Sequence, residues 1–224
     1  EQWARSWLTA DRIAAQAISE SVDHLPFPNE PAIARLVMNH ASNGASITLG
    51  SSMPIRDVDT FGGKNQRNLR VFGNRGTNGI DGVASAATGA AAAGVQSIAL
   101  LGDVSMFHDL NILGTAAQLD LPITYVVINN DGGGIFHFLP QAQPELLDPA
   151  VFETYLGTPH GTDFVAVARA LGIAAERIER GEDLAAALQT EPSGPGLYEL
   201  RTDRSANLAA HRSAAAAVEA ALRS

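Results

Sequence analysis

The sequence contains no cysteine, which removes disulfide frameworks and cysteine-based zinc sites together. Aromatic residues are scarce, 6% against a hydrophobic total of 46%, so a core must be built mainly from Ala, Val and Leu. Basic charge is also short. Fifteen Lys and Arg face 24 Asp and Glu, giving a net charge of −9 and a pI near 5.0, the wrong sign for a non-specific nucleic-acid footprint. No apolar run approaches the roughly 18 residues of a membrane span, and the N-terminus shows no charged-then-apolar leader. A soluble, cytoplasmic protein is the expectation. The six histidines show no HExxH or comparable ligand spacing. The chain opens on Glu1 rather than Met and reads as a piece of something longer, while 224 residues suit one large α/β domain, with or without an arm.

What is present is an alternation of helical and extended patterns. Residues 2–22 carry apolar side chains at helical spacing (Trp3, Trp7, Leu8, Ile13, Ala17, Ile18) and predict an amphipathic helical arm over 1–28. Prolines 26, 28 and 31 break the chain, and Asn29 stands where a helix over 30–41 needs its cap. A short buried strand with its loop is predicted over 46–52, and another strand and turn over 70–76. A helix of small residues follows over 81–94, and helices are expected near 110–119, 162–171, 182–189 and 205–222, with a late strand at 196–202. The continuous apolar runs 96–102 and 123–129 suit central strands of a parallel sheet. Strands alternating with helices predict a doubly wound, mostly parallel α/β sheet over 29–224. The Pro-rich stretch 139–152 reads as an ordered surface loop.

The chemistry gathers where those central strands end. Gly102-Asp103 closes one and Asn129-Asn130 the other, with 26 residues between Asp103 and Asn130. If the strands are parallel neighbours joined by a right-handed crossover, both pairs reach the same carboxyl edge of the sheet, where ligands of open α/β sheets bind. A carboxylate, an amide oxygen and a free carbonyl from "NNDGGG" form an all-oxygen set suited to Mg²⁺, which completes its octahedron with phosphate oxygens and water. Glycines 132–134 allow a tight turn and close approach to a ligand. The competing reading is that Asp103 caps the next helix and the asparagines turn the chain.

The GD…NN spacing resembles the cofactor motif of thiamine diphosphate-dependent enzymes. The segments "SSMPIRDVDTF" (51–61), "NRGTNGIDGVASAATG" (74–89), "GDVSMFHDLN" (102–111) and "NNDGGGIFHFLPQ" (129–141) resemble one branch of them, the 2-succinyl-5-enolpyruvyl-6-hydroxy-3-cyclohexene-1-carboxylate (SEPHCHC) synthases, or MenD family, of menaquinone biosynthesis. The resemblance implies the thiamine diphosphate-binding fold, specifically its pyrophosphate-binding domain. It also implies a transferase that decarboxylates 2-oxoglutarate and adds the succinyl-semialdehyde carbanion to isochorismate. Asp103, Asn130 and the Gly132 carbonyl would hold Mg²⁺ or Mn²⁺. Ser52, Gly102, Val104 and Ser105 would lie against the cofactor, with backbone N–H groups toward the diphosphate. Ile80 would wedge under the bent cofactor. Arg56 and Arg75 would pair with substrate carboxylates, and Ile135, Phe136 and Leu139 would wall the reacting carbon, Ile135 touching the cofactor as well. Each has a plainer reading: an Arg56–Asp57 surface ion pair, Ile80 as core, Phe136 as packing. His108 and His137 are read as polar neighbours of the site.

Two departures matter. This chain has Gly102-Asp103-Val104 where the wider superfamily carries GDG. The family also builds its site between two domains, and the activating Glu belongs to the pyrimidine-binding one. The matching segments here belong only to the pyrophosphate-binding part, so no catalytic residue is expected within this chain. The resemblance thus implies the C-terminal part of a synthase, inactive alone, completed by a pyrimidine-binding domain of the same or a partner subunit in a homodimer or homotetramer. A separate pyrophosphate-domain subunit of a split 2-oxoacid decarboxylase and a metabolite-binding regulatory module remain as alternatives.

Overall fold

A computed structural model describes residues 1–64, 67–74, 79–190 and 192–223. The elements run α1 (Gln2–Asp23), α2 (Glu30–His40), β1 (Ser46–Leu49), α3 (Met53–Phe61), β2 (Arg70–Gly73), α4 (Val83–Ala92), β3 (Ser97–Gly102), α5 (Asp103–His108), α6 (Asn111–Gln118), β4 (Ile123–Asn129), α7 (Pro149–Phe152), α8 (Phe164–Ala170), β5 (Ala174–Arg177), α9 (Gly181–Gln189), β6 (Gly196–Arg201) and α10 (Arg204–Arg223). The six strands form one sheet in the order β2-β1-β3-β4-β6-β5, and every pairing is parallel.

Side-chain alternation along the strands builds a core on each face. Ala99 and Leu101 of β3 and Ile123, Tyr125 and Val127 of β4 pack with α4, α6 and α8. Ile98 and Leu100, with Val126 and Ile128, face α2 and α9 on the other side. Each fully buried Val, Leu or Ile contributes about 1.5–3 kcal/mol relative to exposure. The small residues of α4 serve close approach: Ala84, Ala87 and Ala91 are buried, and Thr88 accepts the hydroxyl of buried Tyr125 at 2.6 Å while donating its own to the Ala84 carbonyl at 2.8 Å. Asn29 caps α2 as its position predicts, its Oδ1 accepting from Ala32 N at 2.8 Å.

The observed elements depart from the sequence pattern in four places. Helix α3 fills the segment after β1, where only a loop and a motif are predicted, and its N-terminal Pro54 is compatible with a first helical turn. Strand β5 (AAER) is an edge strand without an apolar run. The 139–152 stretch is ordered, as expected, but holds a 3₁₀ turn over Pro140–Ala142 and the short α7, which leads into a π turn over Glu153–Gly157. Helix α1 packs along α10 and buries Ala17 and Val22, yet its apolar first turns, Trp3, Trp7 and Leu8, are exposed.

Winding reverses between β1 and β3. From β1 the chain steps outward to β2, returns past β1 to β3, and then continues through β4 on the far side. The carboxyl ends of β1, β3 and β4 therefore open onto the topological switch point, the expected place for a ligand in such a sheet.

Candidate functional site

A cavity opens at that switch point. It is lined by Ser51–Pro54 after β1, Gly102–Ser105 after β3, Ile128 and Asn130 at the end of β4, and Gly132–Phe136, with Glu30, Ile80 and Thr158 completing the wall. Ser52, Ile80, Gly102, Asp103, Val104, Ser105, Asn130, Gly132, Ile135 and Phe136 thus meet around one space, despite lying up to 84 positions apart in sequence. Leu139 does not line it and is 44% exposed, because the 3₁₀ turn over Gly134–Phe138 carries the chain away from the sheet. Arg56 stands outside the lining, on the first turn of α3, where its Nη1 donates to the Ser52 carbonyl at 2.6 Å. Arg75 lies outside the described residues. Ser52 holds φ +75° at the cavity rim, a conformation that costs a non-glycine residue about 1–3 kcal/mol and concentrates at functional sites.

The two asparagines part company. Alternation along the strand sends Asn129 away from the cavity, where Nδ2 donates to buried Glu199 at 2.6 Å and Oδ1 accepts from Asp131 N at 3.1 Å. That is the chain-turning role. Asn130 faces the cavity, its Nδ2 donating to Glu30 Oε1 at 2.9 Å, and its Oδ1 is buried without a hydrogen-bond partner. Asp103 is buried at the start of α5. Its Oδ1 accepts from Val104 N at 2.7 Å and its Oδ2 from Gly132 N at 2.8 Å, so the two strand ends are tied across the site. The N-cap of α5 is Gly102 and no side chain caps the helix, so Asp103, its first residue, does not take the cap position.

The glycine run is dictated by close packing. A Cβ on Gly132, whose φ is +137°, would come within 1.8 Å of the Gly157 carbonyl oxygen in the π turn. A Cβ on Gly134 would meet Asn130 Nδ2 at 2.6 Å.

Two residues at the site carry no sequence signal. His160 rests between Phe107 and Phe164 and places Nε2 3.3 Å from Asp103 Oδ2. Its Nδ1 accepts from Thr162 N at 3.1 Å, while its buried Nε2, though close to the carboxylate, completes no hydrogen bond. Neither His108 nor His137 lines the cavity. Glu30, at the first position of α2, reads as a surface carboxylate favoured by the helix dipole, yet it is 1% exposed.

Burial dominates the electrostatics. It raises Asp103 against the opposing pull of the Gly132 and Val104 N–H groups. It pushes Glu30 up to about 8, with Asp57 adding to the rise and the Asn130 and Thr202 hydrogen bonds opposing it. It also raises Asp57, which His211 Nε2 contacts at 2.8 Å on the far side of α3. The surface Arg56–Asp57 pair therefore does not form: Asp57 is fully buried and engaged by His211, while Arg56 points to the Ser52 carbonyl. Among the described residues there is no cluster of three His, Cys, Asp or Glu able to hold a metal. A hard cation here would instead take the Asp103 carboxylate and the unpartnered Asn130 Oδ1. The Gly132 carbonyl, which accepts Gly134 N at 2.9 Å, has a second lone pair to offer. This oxygen set fits Mg²⁺ provided a ligand supplies further oxygens.

A switch-point cavity with a small set of oxygen donors and a glycine-bounded wall defines a ligand-binding α/β domain. Comparison with known families makes the class specific. The model of the thiamine pyrophosphate enzyme C-terminal TPP-binding domain matches residues 61–198, and the chain belongs to that family. Solved structures of the same fold include benzoylformate decarboxylase from Polynucleobacter necessarius (TM-score 0.58, 20% identity, 80% of this chain and 34% of that one). A thiamine diphosphate-dependent 4-hydroxybenzoylformate decarboxylase from Rhodococcus jostii is similar (TM-score 0.56, 23% identity, 78% and 32%).

Closer in sequence are proteins named 2-succinyl-5-enolpyruvyl-6-hydroxy-3-cyclohexene-1-carboxylate synthase. That of Myxococcus xanthus is 43% identical over 98% of this chain and 38% of its own length. That of Bacillus velezensis is 42% identical over 94% and 36%. The chain spans under two fifths of the length of these relatives.

Proposed function

We propose that the chain is the pyrophosphate-binding part of a SEPHCHC synthase, holding thiamine diphosphate through Mg²⁺ or Mn²⁺ while 2-oxoglutarate is decarboxylated and its succinyl-semialdehyde unit is added to isochorismate. The observation that carries this reading is the meeting of Asp103 and the unpartnered Asn130 Oδ1 in one cavity, in a chain 43% identical to a protein of that name. Residues 29–224 form this part, and residues 1–28 the arm that precedes it.

When bound, thiamine diphosphate supplies a nucleophilic carbon and a sink for the electrons released with CO₂. The chain's own residues would do the rest. Asp103, Asn130 and the Gly132 carbonyl would anchor the cation, and backbone N–H groups at the start of α5 other than that of Val104, which Asp103 takes, would serve the diphosphate. Ile80 would support the ring system, while Ile135 and Phe136 would exclude water from the site. Leu139 joins that wall only if the 3₁₀ turn over Gly134–Phe138 moves inward on binding. Arg56 keeps its guanidinium N–H groups other than the one given to Ser52 for a substrate carboxylate, and Arg75 provides a second fork.

The carboxylic acid that activates the aminopyrimidine is proposed to come from a pyrimidine-binding domain outside this chain, in a homodimer or homotetramer. Glu30 does not substitute for it, because three donors already occupy its oxygens. The test is reconstitution. The 224-residue chain alone should neither release CO₂ from 2-oxoglutarate nor consume isochorismate, and a pyrimidine-binding domain added in cis or in trans should restore both. Turnover by the isolated chain would overturn the assignment of the acid.

A further inference from the structure

Glu30 sits at the back of the cavity and touches residues from three distant parts of the chain. Its Oε1 accepts from Asn130 Nδ2 at 2.9 Å and from Thr202 Oγ1 at 3.1 Å, and its Oε2 accepts from Asn207 Nδ2 at 2.9 Å. Thr202 follows β6 and Asn207 lies one turn into α10. Asn130 closes β4, and Glu30 itself opens α2, so one carboxyl group bridges four elements.

The consequence falls on Asn130. An asparagine amide has two faces, one donating and one accepting, and only the accepting face can ligate a cation. By taking the Nδ2 hydrogen, Glu30 Oε1 turns Oδ1 into the cavity, where it is buried and unpartnered. The opposite flip would set two oxygens against each other at the Glu30 side and present N–H groups to the cation. We propose that Glu30 is the positioning residue of the metal site, a clamp that fixes the Asn130 amide with its oxygen inward and anchors it to α10 through Asn207. The proposal rests on the Mg²⁺ site described above and adds to it the group that sets its ligand geometry.

The clamp does not depend on the charge of Glu30. The oxygen that faces Asn130 also receives Thr202, so a proton on the carboxyl would reside on the other oxygen. There it meets Asn207, whose own Oδ1 is buried without a partner and becomes an acceptor when that amide turns over. Oε1 accepts from Asn130 in both cases. Gln at position 30 reproduces the second arrangement, its oxygen toward Asn130 and its amide toward Asn207.

The experiment measures Mn²⁺ binding by electron paramagnetic resonance in the full-length enzyme that contains this segment, at saturating thiamine diphosphate, together with the melting temperature without metal. Loss of an outer-sphere partner weakens metal binding about 10–100-fold, and that loss is expected for Glu30→Ala and for Glu30→Leu, which keeps the volume but offers no acceptor. Glu30→Gln should stay within about threefold of wild type by retaining the acceptor. Asn207→Ser, outside the cavity lining, should fall between them and keeps the test alive if the other variants do not fold. A role in folding alone would lower the melting temperature and leave Mn²⁺ affinity of the folded enzyme unchanged. Wild-type affinity in folded Glu30→Ala or Glu30→Leu, a loss in Glu30→Gln equal to theirs, or wild-type affinity in folded Asn207→Ser would overturn the clamp. Asp103→Ala separates the two readings. If it retains Mn²⁺ binding, the metal site itself is misplaced; if it loses binding while Glu30→Leu does not, only the clamp is wrong.

Discussion

Gly134→Ala is the smallest change that should damage the metal site without touching a ligand. The added Cβ would lie 2.6 Å from Asn130 Nδ2, 3.3 Å from its Cγ and 3.4 Å from its Oδ1. Carbon contacts settle near 3.5–4.0 Å, so the amide must move by about 1 Å. It cannot give freely, because Nδ2 is held at 2.9 Å by buried Glu30. Overpacking costs about 1–3 kcal/mol, and loss of the hydrogen bond to Glu30 about 0.5–1.5 kcal/mol more if the amide breaks away. Magnesium demands near-ideal octahedral ligands at about 2.0–2.1 Å, so a displaced Oδ1 should weaken metal-dependent cofactor binding by about 10–100-fold. Calorimetric titration of Mg²⁺ with thiamine diphosphate present reads this directly. Gly132→Ala is the contrast, since its Cβ strikes the Gly157 carbonyl at 1.8 Å with φ +137° and should disrupt the fold of the whole turn. Wild-type Mg²⁺ affinity and melting temperature in Gly134→Ala would refute the packing argument.

Three further outcomes can be measured. With no cation bound, Glu30 is pushed up to about 8, above its unfolded value near 4.5. Its contribution to stability is then full below pH 4.5 and is lost as pH rises toward 8; wild type should lose melting temperature relative to Glu30→Gln across that window, and parallel curves would exclude it. Gly114→Ala, inside α6 with nothing within 4 Å of its Cβ, should stabilise the protein by about 0.5–1 kcal/mol in denaturant unfolding. Arg75→Ala should raise KM or lower kcat far more than it weakens cofactor binding, since unpairing a desolvated carboxylate costs several kcal/mol; unchanged substrate kinetics would remove Arg75 from the site.

The sheet was legible where it is central and obscure where it is not. Strands β3 and β4 are continuous apolar runs because both faces are covered, and that pattern has few alternatives. Strand β5, at the edge, reads Ala-Ala-Glu-Arg and leaves no such mark. The N-cap of α2 was readable from Asn29 because capping is local. Glu30, the next residue, was not. A glutamate in a first helical turn is ordinary on a surface, and its partners here, Asn130, Thr202 and Asn207, lie 100, 172 and 177 positions away. His160 reaches Asp103 through loop packing of the same long range. Motif reading brings Asp103 and Asn130 to one cavity, but it does not see the groups packed against them.

The burial of Glu30, Asp57 and Asp103 close together raises all three carboxyl groups at once. Folding alone would not favour that, since each acid is more easily ionised in the unfolded chain and mutual repulsion between Glu30 and Asp57 adds to the cost. A divalent cation at Asp103 and Asn130, as proposed, would reverse the balance by favouring the charged form of the acids nearest to it. The cation-free site would then be a local compromise in stability that ligand binding relieves. It also accounts for the division between the paired asparagines. Asn129 ties β4 to Glu199 on the neighbouring strand and holds the strand end fixed, so that the neighbouring amide can be presented to the cavity without the backbone yielding to the repulsion around it.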